Sequence, residues 1–150
     1  MRPEVVEAGL AAAVREAEDG VAEGGMPFGA AILLDGEVIA VGRNRQVQRG
    51  DFLAHAETEA IRDCIDRHGR VPEGAVLVAT EGPCAMCAGA ALITGIRAAI
   101  VGEVHHFAGH VAQLRAEGVT VEVIDDRACI DLVTRFRADH AELWARYSAG

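Results

Sequence analysis

Long apolar runs are the first thing missing from this sequence. None reaches the roughly 18–20 residues that a membrane-spanning helix needs, so no membrane partner is expected. The opening Met1-Arg2-Pro3-Glu4 lacks the apolar stretch of a secretory signal, and a cytoplasmic protein is the expectation. Basic residues are outnumbered and scattered, and the formal net charge is −9. A chain of that sign meets a Coulomb penalty at a phosphate backbone. No nucleic acid is therefore expected, and the substrate should be small and not polyanionic. Aromatics are scarce, with one Trp, one Tyr and four Phe; each such residue is more often core than pocket wall. The four cysteines form no disulfide framework and read as cytoplasmic thiols. Repeats, low-complexity segments and linkers are absent, which leaves one domain over residues 1–150.

What is present is a core-building composition, 51% hydrophobic and carried by Ala, Val, Ile and Leu, enough for a fold without staples. Val5, Val6, Leu10, Ala13, Val14, Ala17 and Val21 recur with a helical period over residues 4–22. Gly24-Gly25 ends that helix, and Met26-Pro27-Phe28-Gly29 turns into a strand. Ala30–Leu34, Asp35-Gly36 and Glu37–Val41 predict a hairpin with a type I′ turn. A polar loop runs on to Asp51, and the pattern predicts a helix from Leu53 to Arg67 with His55 and Glu57 in its first turn. Further strands are expected at 75–79, 98–101 and 119–124, and helices at 84–94, 112–117, 127–137 and 138–147. Asp125-Asp126 reads as the cap of the helix that follows. Helices alternating with strands predict an α/β fold, a three-layer α/β/α sandwich on a mixed five-stranded sheet. Its opening hairpin is antiparallel, and its later strands, joined through helices, are parallel.

The chemistry concentrates in Pro83-Cys84-Ala85-Met86-Cys87, taken with His55-Ala56-Glu57. One imidazole and two sulfurs make a soft ligand set that suits zinc rather than magnesium or calcium. Helix N-termini favour thiolates, and three protein ligands leave a position for water, as in catalytic zinc sites. Glu57 is placed to handle the proton of that water. Two other readings exist. A C-x-x-C is also a redox pair, although the aromatic-rich surroundings of thioredoxins are missing. It is also half of a structural zinc site, for which His105, His106 or His110 would supply a fourth ligand. The conjunction of H-x-E with P-C-x-x-C at the head of a second helix is the signature of zinc deaminases. Cys64 and Cys129 read as buried apolar residues, and Asn44, just past a strand, reads by itself as a turn residue.

At these residues the sequence resembles the cytidine/deoxycytidylate deaminase superfamily, and within it the yeast-type cytosine deaminases. The resemblance runs through Gly24-Gly25-Met26-Pro27, Gly42-Arg43-Asn44, His55-Ala56-Glu57, Pro83 to Ala90, Val101-Gly102-Glu103 with Phe107, Asp125 to Cys129, and Leu143-Trp144. It implies one zinc per chain on His55, Cys84 and Cys87, with Glu57 as the catalytic proton shuttle. It further implies a substrate pocket drawn from Asn44, Phe28, Ala56, Phe107, Trp144 and Tyr147, and a homodimer.

The implied reaction is hydrolytic removal of an amino group from a small nitrogen heterocycle, with cytosine to uracil plus ammonia in the lead. Four departures bear on the substrate. Gly82 stands where relatives have Ser or Glu, Tyr147 where they have an acid, Phe28 where they have a smaller aliphatic residue, and Val47 where they have an aromatic. These keep guanine, isocytosine and a creatinine-like cyclic guanidine open as substrates. A tRNA adenosine deaminase and a non-catalytic zinc module are the remaining alternatives.

Overall fold

The computed structural model describes residues 1–148. Five strands, β1 (Gly29–Leu34), β2 (Glu37–Arg43), β3 (Val76–Glu81), β4 (Ala98–Glu103) and β5 (Thr120–Val123), form one sheet in the order β2-β1-β3-β4-β5. β1 runs antiparallel to both β2 and β3, while β3, β4 and β5 are mutually parallel. The helices are α1 (Pro3–Ala22), α2 (Gln46–Arg49), α3 (Ala56–His68), α4 (Ala85–Ile93), α5 (Val111–Ala116), α6 (Arg127–Asp139) and α7 (Ala141–Tyr147).

Strand alternation splits the core in two. On one face Ala31, Leu33, Val76, Val78 and Ile100 meet Val5, Val6, Leu10 and Ala13 of α1 and Cys129 of α6. On the other, Ala30, Ile32, Leu77, Ala99 and Val101 meet Ala56, Ala60, Ile61 and Cys64 of α3, Ala88 and Ala91 of α4, and Val111 and Leu114 of α5. Every residue of β3 is buried, as expected for a strand covered on both faces. The three-layer sandwich is therefore as the alternation of elements predicted. Asp35 and Gly36 both take positive φ, 50° and 81°, as a type I′ turn requires.

The structure corrects three local expectations. The stretch after Asn44 is not all loop: it contains α2, closed by Gly50 in the left-handed region. The next helix starts at Ala56, not Leu53, because residues 51–55 form turns of their own. The Leu53 amide donates to Asp51 Oδ1, and the His55 amide donates to the Leu53 carbonyl. His55 is thus the N-cap of α3 rather than part of its first turn. Near the C-terminus, the break between α6 and α7 falls at His140 (φ −135°, ψ 51°), slightly later than the pattern suggested. The Asp126 cap is present, its carboxylate accepting from the Cys129 amide at 3.0 Å.

The antiparallel β1 brings its first residues, and β2 its last, to the edge where the parallel strands β3 and β4 end. α3 and α4 begin at this same edge.

Candidate active site

His55 and Cys84 are N-cap residues of α3 and α4, both with extended backbone (φ −79°, ψ 157° and φ −71°, ψ 176°). An N-cap side chain ordinarily accepts from an amide one turn on. Neither does so here, and both point at each other instead. Cys84 Sγ lies 3.4 Å from His55 Nδ1, and Cys87 Sγ lies 3.5 Å from the same nitrogen. All three donor atoms fall within 4.8 Å of one another. Tetrahedral zinc with its usual bond lengths would set nitrogen and sulfur about 3.6 Å apart, so the trio fits a zinc ion. Among the described residues no fourth such donor joins the group. His105 is paired with Asp125 at 3.3 Å, and the His106 ring faces Thr134 Oγ1 at 3.0 Å. His110 also lies outside the group, which among the described residues has three protein donors.

The electrostatics suit a cation site. Hydrogen bonding to Cys87 and to His55 holds the Cys84 thiol down to about 3 despite partial burial. Cys87, facing that thiolate and more deeply buried, is pushed up. The hydrogen bond to Cys84 raises His55, opposed by desolvation. On the other side of the ring, His55 Nε2 lies 3.3 Å from Gln46 Nε2, which itself donates to the Phe52 carbonyl at 3.0 Å. Such a partner sets the ring orientation of a ligating histidine. Glu57, in the first turn of α3, is buried and its carboxyl raised, first by desolvation.

A pocket opens over this group, lined by Phe28, Asn44, His55, Glu57, Cys84, Phe107 and Tyr147, with Gln46, Thr80, Glu81 and Gly82 completing the wall. The structure thus brings most of the predicted site residues together. Ala56 and Trp144 are not part of the lining. Ala56 is wholly buried as the first residue of α3, under the floor. Trp144 stands behind the wall, its ring 6.0 Å from that of Phe28. Tyr147 stacks on Phe52 at 5.1 Å, so α7 packs beside the pocket through two aromatic contacts. Val47 lies outside the lining.

Asn44 combines the turn and pocket readings. Its Oδ1 accepts from the Gln46 amide at 3.0 Å, its Nδ2 donates to Gln46 Oε1 at 2.8 Å, and it is 2% exposed. Gly82 has a steric reason. A Cβ there would sit 2.7 Å from the Ala108 carbonyl and 2.9 Å from that of Phe107. Glycine therefore lets the 107–108 loop press in and deliver Phe107 to the pocket.

Residues 3–103 match the cytidine and deoxycytidylate deaminase zinc-binding region. The chain belongs to that family. It is a zinc-type deaminase, a hydrolase of C–N bonds, and the His55, Cys84, Cys87 trio can hold its one metal ion. The deaminase is 31% identical to the cytosine deaminase of Candida albicans over 137 residues, covering 91% of each chain. It is 42% identical to the guanine deaminase of Bacillus subtilis over 83 residues, 54% of this chain and 53% of that one. The solved guanine deaminase of Nitrosomonas europaea superposes with a TM-score of 0.75 at 26% identity, covering 91% of this chain and 85% of that one.

Sequence reasoning missed Gln46, Thr80 and Glu81. The signal for Glu81 was an acid ending an apolar strand, matched by Glu103 ending the next one.

Proposed function

We propose that this deaminase removes an amino group hydrolytically from a free, small nitrogen heterocycle, with cytosine to uracil plus ammonia as the leading reaction. The observation that carries the reading is the three-donor group opening on a pocket that also holds Glu57. His55, Cys84 and Cys87 would hold zinc. When bound, zinc supplies a Lewis acid and lowers the pKa of a coordinated water toward about 7.

The remaining work falls to the chain. Glu57, deeply buried, takes the proton of the attacking water and delivers it to the ring nitrogen of the amidine as oxygen adds to its carbon. The same carboxylate then takes the remaining proton of the added hydroxyl and passes it to the amino group; the carbonyl forms as the C–N bond breaks, and ammonia leaves. Asn44 and Tyr147 orient the ring by hydrogen bonds, Phe28 and Phe107 sandwich it, and Trp144 supports Phe28 from behind.

Guanine is a second reading, favoured by the likeness to guanine deaminases in both sequence and fold. Isocytosine and cyclic guanidines remain in the same chemical class. The −9 charge weighs against a tRNA substrate. A single domain over 1–150, a homodimer, cytoplasmic placement and a part in pyrimidine salvage go with the proposed reaction. Exposed Ile93, Leu53 and Phe52 offer apolar surface for the second copy.

The test is ammonia release from cytosine, isocytosine, guanine and creatinine by the zinc-loaded protein, in parallel with Glu57→Gln. Turnover of at least one base, abolished in the variant while zinc stays bound, supports the proposal. Full turnover by zinc-loaded Glu57→Gln overturns the shuttle role, and no turnover of any base overturns the reaction class.

A further inference from the structure

The pocket holds a second carboxyl group that the proposed chemistry does not use. Glu81 ends β3, and its partner across the parallel ladder is Glu103, which ends β4. Both are buried, at 8% and 0% exposure. Glu103 Oε2 accepts from the His106 amide at 3.1 Å. Glu103 Oε1 and Glu81 Oε2 are both buried with no hydrogen-bond partner in the fold.

Two neighbouring carboxyl groups buried without partners oppose each other's ionisation, so one of them is favoured in the neutral form. Burial, then the Glu103 charge, pushes Glu81 up to about 9, with Arg137 offsetting part of the effect. Glu81 is therefore the protonated member. As a neutral acid it keeps a carbonyl oxygen that can accept a hydrogen bond. A purely structural acid pair would be sealed on both sides. Glu103 is sealed, but Glu81 is part of the pocket wall, beside Glu57, Asn44 and Tyr147.

We infer that Glu81 is a specificity-determining residue: its pocket-facing oxygen accepts a hydrogen bond from a ring N–H of the substrate. The inference rests on the deaminase reading above. There the amidine nitrogens belong to Glu57, so the donor left for Glu81 is another N–H of the ring. The preferred substrate class is thus an amino-substituted lactam or cyclic guanidine carrying a ring N–H outside the reacting amidine. A buried acceptor left unpaired is costly, so a ring lacking that donor is disfavoured.

The experiment compares wild type, Glu81→Leu and Glu81→Gln, all zinc-loaded, on cytosine against 1-methylcytosine and guanine against 9-methylguanine. Gln reproduces the neutral acid, with a carbonyl oxygen that can accept a hydrogen bond. It should keep KM within about threefold of wild type. Leu should raise KM for the unmethylated base about tenfold or more with a smaller change in kcat, consistent with one lost hydrogen bond to a buried group. Leu should also shrink the wild-type preference for unmethylated over methylated base.

Equal losses on both bases, a loss in kcat alone, or loss of zinc from Glu81→Leu would assign Glu81 a structural role and overturn the inference. As a measurement independent of that variant's folding, infrared difference spectra of the Glu57→Gln protein should show the protonated-carboxyl band shifting when cytosine or guanine binds. The shift should disappear in Glu57→Gln/Glu81→Gln. An unmoved band overturns the inference. A wild type that deaminates normally beside an indifferent Glu81 variant fails this inference alone, whereas a wild type inert on every base fails the proposed function and this inference with it.

Discussion

His55, Cys84 and Cys87 hang from two helix starts that grip the sheet through Ala56, Ala60, Ala88 and Ala91, all essentially buried. Apart from Thr80 and Glu81 at the end of β3 and Gln46 of α2, the side chains above them come from loops and from α7, which buries none of its own residues. The floor is thus positioned by tight packing of small residues, and the walls by a few aromatic contacts. Packed cores resist displacement, whereas exposed helices and loops shift at little cost. The chemistry is built into the rigid part, and the choice of substrate into the part that can change without disturbing it.

The sharpest way to break that division is at the floor. Cys84→Ser or Cys87→Ser should abolish zinc retention and lower kcat/KM by about a thousandfold or more, because a hard hydroxyl replaces a soft ligand. Metal analysis of the purified variants checks this. Turnover surviving in a metal-free variant would detach the chemistry from the trio altogether. Glu57→Gln comes next: zinc stays, the amide cannot accept the proton, and kcat should fall by about 10²–10⁴-fold, measured by ammonia release.

At the walls the effects should be smaller and should fall on KM. Gly82→Ala places a methyl against the carbonyls of Phe107 and Ala108, displacing the loop that carries Phe107. A destabilisation of about 1–3 kcal/mol is expected from such overpacking, read by denaturant unfolding, together with a raised KM at nearly constant zinc content. Trp144→Ala removes the backing of Phe28 and should raise KM roughly several-fold. A wall substitution that empties the zinc site would erase the distinction between floor and walls.

The same contrast explains what could be read before any coordinates. The floor is local: H-x-E and P-C-x-x-C each occupy one helix start, so spacing alone brings the right groups to the right ends. The sandwich was legible too, because strands buried on both faces are apolar throughout and the helices between them are periodic. The walls are not local. Asn44 speaks to Gln46 and through it to the carbonyl of Phe52, and Trp144 matters through Phe28. Such pairings leave no period in the chain. α2 was hidden because four residues are too few to show one. Glu81 escaped notice because its meaning depends on Glu103, 22 positions away on a neighbouring strand.

Glu81 also tests whether a wall residue can affect stability as the core does. In the unfolded chain its carboxyl has the ordinary value of 4.5, and in the fold it titrates at about 9, facing Glu103 on β4 and Glu57 on α3 with Arg137 of α6 as the opposing charge. Below 4.5 the group is neutral in both states and costs nothing. Between that value and about 9 only the unfolded chain gives up the proton, so rising pH favours unfolding. The stability carried by the neutral acid is therefore complete at acid pH and drains away toward pH 9. Glu81→Gln, which cannot ionise, should match wild type near pH 4.5 and exceed it increasingly as pH rises. The gap in Tm between the two zinc-loaded proteins, measured from pH 5.5 to 8.5, should widen steadily in favour of the variant. A constant gap would mean that Glu81 is already ionised in the fold, and that burial beside Glu103 does not keep it neutral.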